Sequence, residues 1–374
     1  MAASYPLTLC VGLVAETFNR HDGIARVGRQ LITLMGTRTD IELVLALPEA
    51  ALKNPDLELP SSVTDVISIP RSGQISQAAW VRWRLGGEFA KRGVEIIHAS
   101  KHVLPVSRLA GVLTVHDLTL LHHARQFRLA KRLLLPRQYV DSIERADAIV
   151  THTQAVIASV TSYNAKWGSK SRKVGLPFGG ELFSVPAEAV VELEQRKFCV
   201  VVGDLSPRKN LGALIRVWPS VFEQTGMLLV VVGSGGWKSE ETLRAIDTLI
   251  GQGSARRVIG ASNASLRWMY EHAASLLYPS REEGYGLPII EALAVGTKVI
   301  ASTDPALVEV ANGSALHLDP DDSQGWHDAI VAAARSTKQH HSPVVPIWLP
   351  TVAMVAQSTV ESYRYALSAS TSRS

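Results

Sequence analysis

Tyr278-Pro-Ser-Arg-Glu-Glu-Gly-Tyr-Gly-Leu-Pro-Ile-Ile-Glu-Ala-Leu-Ala-Val-Gly296 reads as a strand end, a loop and a helix in close succession. The apolar run Ala274 to Tyr278 enters a loop holding Glu282, Glu283, Gly284 and Gly286, and Pro288 then opens an apolar helix that stops at Gly296. Proline suits a first helical turn and glycine the turn just past the end, so both boundaries are marked. Such a unit brings unpaired backbone N–H groups and the positive end of a helix dipole to one point, a ready site for an anion. Two carboxylates flank that point: Glu283 in the loop, and Glu291 eight residues later in the helix. Carboxylates repel an anion, so these read as gripping hydroxyl groups. Phosphate and hydroxyls together point to a nucleotide sugar.

Strand and helix patterns alternate on both sides of this stretch, which implies βαβ units and parallel sheets in an α/β protein. In the first half, Leu7–Val14, Ile41–Leu47, Val63–Ile69, Val94–His98, Val112–His116 and Asp147–Thr151 read as strands. Helices are expected from the polar loop Glu16–Arg26 through Met35, and over Gln77–Lys91, Leu129–Arg145 and Gln154–Tyr163. Pro177–Pro186 reads as a linker, after which the alternation restarts at Phe198–Val202. A first domain over 1–185 and a second over 186–350 follow, with a proline-rich break at Ser342–Pro350. A closing helix, about Thr351–Leu367 within 351–374, follows no strand and is expected to pack back across the linker. Only the serine-rich tail from Ser368 reads as disordered.

The 374 residues exceed one ordinary core, and 46% hydrophobic with 19% charged is the composition of a globular enzyme. Met1–Pro6 has no charged n-region, so no signal peptide is expected. No apolar run approaches the roughly 20 residues of a membrane span. Cys10 and Cys199 sit inside strand patterns as small hydrophobes, which points to a reducing cytoplasm. Residues 1–185 carry 22 Lys+Arg against 15 Asp+Glu, and the remainder 16 against 19. A basic half beside a mildly acidic one argues against nucleic acid as partner and for domains with different ligands.

Val201-Val-Gly203-Asp204-Leu-Ser-Pro-Arg208-Lys209-Asn-Leu211 places two cations at a helix start, where they oppose the dipole unless an anion joins them. A diphosphate would be such an anion. Val230-Val-Val-Gly-Ser-Gly-Gly236 misses the dinucleotide fingerprint because Lys238 stands at its third glycine. It reads equally as a close backbone approach near a nucleotide base and as a plain tight turn. In the first half, Gly23 follows the first strand loop and His116-Asp117 ends a strand, both at carboxyl ends where open sheets bind ligands. The pairs His122–His123 and His340–His341 lack metal-ligand spacing. Trp80–Arg84 and Arg125–Arg137 mix cations with large apolar groups. Docking on an anionic membrane, gripping an anionic acceptor, and ordinary amphipathic helices all fit that composition.

With Gly-x-x-x-Pro-Arg-Lys-Asn at Gly203–Asn210 and Glu-Gly-Tyr-Gly-Leu-Pro-Ile-Ile-Glu-Ala from Glu283, the chain resembles the nucleotide-sugar glycosyltransferases of family four. The resemblance covers nearly the whole chain, and the second element is the Glu-x7-Glu signature. It implies the GT-B fold: two Rossmann-like parallel-sheet domains facing each other across a cleft, with the C-terminal helix crossing back to the first. It also implies retaining hexosyl transfer, without metal or cofactor, to a saccharide, lipid-linked or small-molecule acceptor. Mannosyl or rhamnosyl transfer in polysaccharide synthesis, in the cytoplasm or at the inner membrane face, is within that expectation. By the same resemblance Arg208 and Lys209 would neutralise the leaving diphosphate and Glu291 would hold the ribose. Glu283 would face the sugar, with the N–H groups of Gly286 and Leu287 on sugar or phosphate beside Gly203. Gly23 would close over the diphosphate, and His116 would orient sugar or acceptor. Two departures stand out: Asp204 occupies a position where many members carry a phosphate-binding arginine, and Asp22-Gly23 replaces a usual pair of glycines. They keep a transfer-inactive nucleotide-binding subunit open as an alternative. A GT-B-type sugar-nucleotide epimerase is another.

Overall fold

The computed structural model describes residues 8–18, 23–54, 57–70, 73–122, 129–177, 182–236, 238–336 and 347–372, without the side chains of 74, 75 and 129–135. Asp22, His123, His340 and His341, the start at Met1–Pro6, and much of Arg125–Arg137, Pro177–Pro186 and Ser342–Pro350 lie outside the described residues. The chain divides into two compact units, Met1–Pro177 with Pro350–Ser374, and Phe178–Leu349.

In the first unit, strands β1 (Leu9–Val14), β2 (Ile41–Pro48), β3 (Val63–Ile69), β4 (Ile96–Ala99), β5 (Ala110–Thr114), β6 (Ala148–Thr151) and β7 (Ser171–Lys173) form one sheet. Its order is β3-β2-β1-β4-β5-β6-β7. Every pairing is parallel, with Val11 opposite Leu43 on one side and Ile96 on the other. Parallel strands need covering on both faces, and their sequences are accordingly apolar throughout. One face packs under Phe89, Tyr139, Ile143 and Trp167. The other is covered by Ile32 and Met35 of helix Gly23–Gly36, and by Val355, Val360, Tyr363 and Ala366. Those last four belong to the closing helix Val352–Thr371, which Thr351 caps by accepting the Met354 N–H at 3.2 Å.

The second unit repeats the winding. Strands β8 (Phe198–Val202), β9 (Leu228–Val232), β10 (Ala255–Val258), β11 (Leu276–Tyr278), β12 (Val299–Ser302) and β13 (Leu316–Leu318) follow the order β10-β9-β8-β11-β12-β13. Both sheets thus wind outward from a first strand and then reverse, between β1 and β4 and between β8 and β11. Open α/β sheets bind ligands at the carboxyl ends beside that reversal. Two parallel Rossmann-like sheets of seven and six strands agree with the expected α/β architecture.

Four expectations are corrected. Gln77–Lys91 is two helices, Gln74–Trp83 and Leu85–Ala90, because the chain turns at Arg84 where Gly86 meets the Val106 carbonyl too closely for any side chain. The first helix starts at Gly23, inside the stretch expected to be loop. β5 ends at Thr114, so His116 sits beyond the strand. The tail from Ser368 is helical to Thr371, and its serines turn back onto the helix: Ser368 Oγ donates to the Tyr365 carbonyl at 2.8 Å and Ser370 Oγ to that of Leu367 at 2.9 Å.

Candidate active site

The reversal in the second sheet is where its functional side chains converge. β8 runs into Gly203 and the tight turn Pro207–Lys209, with Asn210 left-handed at φ 52°. The adjacent β11 runs into the loop of Glu283, which ends at Gly286, left-handed at φ 92°. Helix Leu287–Ala294 follows, with Pro288 in its first turn, where N–H groups have no partner inside the helix. The loops are tied by the Arg281 N–H, which donates to the Arg208 carbonyl at 2.8 Å. A third loop braces them, because Asp304 Oδ2 accepts the Glu283 N–H at 3.3 Å.

Lys209 Nζ donates to Glu283 Oε1 at 2.5 Å and to the Tyr278 hydroxyl at 2.8 Å. Arg208 bridges both carboxylates: Nη1 donates to Glu283 Oε2 at 3.1 Å and Nη2 to Asp204 Oδ2 at 3.3 Å. Only 8% of the Lys209 and Glu283 side chains is exposed, so this pair is a buried one. Burial raises the Glu283 carboxyl, but Lys209 and Arg208 outweigh it and hold the group down at about 2. Lys209 is pulled below its ordinary value, by burial first and by Arg208, against the attraction of Glu283. With two cations on it, Glu283 is held as the carboxylate. Asp304 is pushed up to about 6 by burial and by Glu283.

Of the predicted residues, the structure brings Arg208, Lys209 and Glu283 into direct contact, with Gly203, Gly286 and Leu287 on the loops that carry them. The reading that gave the cations to a phosphate and Glu283 to a sugar did not anticipate that they bind one another. Glu291 is 4% exposed and takes the Tyr270 hydroxyl on Oε2 at 2.8 Å. Tyr278 and Asp304 escaped the sequence reading. Tyr278 closes the stretch quoted first, at the carboxyl end of the strand beside the reversal, and that position was its signal. Asp304-Pro305 is a helix-start pair, and Asp304 caps helix Pro305–Ala311 through the Ala306 and Leu307 N–H groups. Gly233 also gains a meaning, since a Cβ there would lie 1.9 Å from the Gly203 carbonyl oxygen. The approach is to protein backbone and decides neither reading of that loop, the nucleotide base or the plain tight turn.

Gly23 and His116 belong to the first unit. His116 Nε2 lies 2.9 Å from the Ser100 carbonyl, and its ring is 5.3 Å from that of His152. His98 is buried between the Tyr363 hydroxyl, at 2.9 Å, and Thr114 Oγ1, at 2.8 Å. Burial pushes His98, His102 and His152 each down to about 3, so His116 has neutral imidazoles around it. A cavity of about 20 Å³ beside His98, Thr114 and His152 is too small for a sugar. In the second unit a hollow of about 420 Å³ opens at the amino ends of β11 and β12, away from Lys209, and its one charged lining residue is Lys298. Among the described residues no group of three His, Cys, Asp or Glu is placed to hold a metal ion. No described helix is long and apolar enough to cross a membrane.

Residues 196–336, which contain all of these second-unit residues, match the protein family described as "Glycosyl transferases group 1". The O-antigen chain mannosyltransferase RfbU of Salmonella typhimurium is 26% identical over 257 residues, 67% of each chain. Sucrose-phosphate synthase from Thermosynechococcus elongatus superposes with a TM-score of 0.71 at 19% identity, over 95% of this chain and 98% of that one. Anabaena HepE, in complex with UDP and glucose, superposes with a TM-score of 0.68 at 14% identity, over 95% and 99%. Sheet order and these superpositions agree on the GT-B fold, and residues 196–336 carry the glycosyltransferase group 1 domain, in a chain similar to an O-antigen mannosyltransferase.

Proposed function

We propose that the chain moves a hexose, with retention and without a metal ion, from a nucleoside-diphosphate sugar to a hydroxyl of a saccharide or lipid-linked acceptor in polysaccharide synthesis. The observation that carries this is the pair Arg208 and Lys209 at the sheet reversal, bound to Glu283 in the loop that leads into helix Leu287–Ala294. Cations and helix N–H groups fixed before the reaction stabilise a leaving diphosphate as it develops charge, and that charge is the chief obstacle to such a transfer. In this reading Arg208 and Lys209 take the diphosphate, Gly286 and Leu287 the phosphate or sugar, Glu283 the sugar and Glu291 the ribose. Gly23 and His116 serve the diphosphate and the sugar or acceptor from the first unit. A mannosyl donor is the first to try, because RfbU is named a mannosyltransferase. Melting curves with GDP, UDP, dTDP and ADP test the donor, since a ligand that binds only the folded chain raises its melting temperature. One nucleotide should stand out, and the same protein should then turn over the matching sugar nucleotide. Absence of any shift at millimolar nucleotide would sink the reading.

The basic first unit supports a peripheral contact with anionic membrane as part of the same proposal. Trp83 is 63% exposed, with the Arg82 guanidinium 4.9 Å from its ring and Arg84 exposed beside it. An aromatic ring flanked by cations suits the headgroup boundary. Sedimentation with phosphatidylglycerol vesicles should fall when Trp83→Ala and Arg84→Ala are combined, and equal sedimentation would remove the membrane from the proposal.

A further inference from the structure

The cations Arg208 and Lys209 already face carboxylates, Asp204 and Glu283. An anion arriving at Arg208 therefore has to compete with a carboxylate already there. The two carboxylates differ in accessibility, with 41% of the Asp204 side chain exposed against 8% for Glu283. Asp204 holds Nη2 of Arg208, at 3.3 Å, while Glu283 and the Glu282 carbonyl hold Nη1, at 3.1 and 3.2 Å. Nη2 is thus the nitrogen that a phosphate oxygen would take.

Asp204 is tethered on its far side. Its other oxygen accepts the Ser206 N–H at 2.9 Å. Gly236 presses on the same corner, where a Cβ would stand 2.8 Å from the Ser206 nitrogen and 3.1 Å from Asp204 Oδ1. A negative charge tethered to backbone thus sits beside Arg208. A sugar diphosphate brings one ionised oxygen on each phosphate. Once the sugar has left, the terminal phosphate of the free nucleotide gains a second ionisation with a pKa of about 6.

We propose that Asp204 discriminates by charge: it disfavours the free nucleoside diphosphate more than the sugar nucleotide, and so speeds product release and limits product inhibition. This rests on the donor reading above.

The test titrates GDP, GDP-mannose, UDP and UDP-glucose calorimetrically into the wild type and Asp204→Asn. Asparagine keeps an oxygen for the Ser206 N–H and removes the charge, together with the oxygen that accepts from Arg208 Nη2. Asp204→Ser, which offers an uncharged acceptor of its own, is the second variant should the first fold poorly. For the pair that binds, the affinity for the free diphosphate should rise about tenfold more than that for the sugar nucleotide, the size of effect one additional like charge exerts at such a range. Equal changes for both ligands, or none, overturn the role of Asp204 while leaving the donor reading intact. Wild type that binds none of the four overturns both.

Discussion

Lys209→Ala is expected to cut turnover at saturating donor by about 10² to 10³-fold, the range for losing one fixed group that stabilises developing charge. It should also lower the unfolding free energy of the second unit by about 3–5 kcal/mol, because breaking a buried ion pair from one side leaves the other charge uncompensated. The stranded group is Glu283, 8% exposed and left with Arg208 as its cation. The Tyr278 hydroxyl loses its donor at the same time. Lys209→Met removes the same ammonium while keeping the apolar stem, so it avoids the cavity that alanine would leave. Urea unfolding and single-turnover rates on the folded fraction give both numbers. Arg208→Ala should lose comparable catalysis at smaller cost in stability, because its side chain is 22% exposed. Near-normal turnover in Lys209→Met would refute the assignment of the leaving diphosphate to this pair.

Gly233→Ala should be the most damaging single methyl group in the second unit. Its Cβ would stand 1.9 Å from the Gly203 carbonyl oxygen, on backbone at φ +155°. Backbone has no rotamer with which to give way, so the ends of β8 and β9 must part. Overpacking and the forced backbone conformation each cost about 1–3 kcal/mol. The displaced segment, Gly203, leads directly into the turn of Arg208 and Lys209, so nucleotide affinity should fall with stability. Gly235→Ala is the control two residues away, where the added atom meets nothing closer than Ser239 Oγ at 3.4 Å. Melting temperature and GDP titration on both variants decide the matter, and a Gly233→Ala protein that melts with wild type would show that the two strand ends are free to separate.

The winding of each unit was legible because buried parallel strands are apolar end to end and the loops between them are not. Elements that break that contrast were lost. β7, Ser171–Lys173, is polar, three residues long and at a sheet edge, and nothing in its composition marks it. The turn at Arg84 depends on Gly86 meeting a carbonyl twenty residues ahead, which no local pattern records. At the site, the residues bearing charge were named, since cations at a turn and acids beside glycines are visible as letters. Their mutual contacts were not. Lys209 and Glu283 are 74 residues apart, and only the strand order β8-β11 makes them neighbours. Asp204 was noticed as a departure from a pattern; its grip on Arg208 needed the turn geometry to be seen.

The closing helix has a consequence for how the chain is made. Val355, Ala356, Val360, Tyr363 and Ala366 lie in the core of the first unit, and Tyr363 completes the surroundings of His98. On the ribosome, a chain that has extruded its first 177 residues still lacks the part of that core's wall that helix Gly23–Gly36 does not supply. All of Phe178–Leu349 emerges before that part does. The half begun second is therefore the half able to finish first, and the half begun first waits, with part of one sheet face open, for the closing helix to arrive.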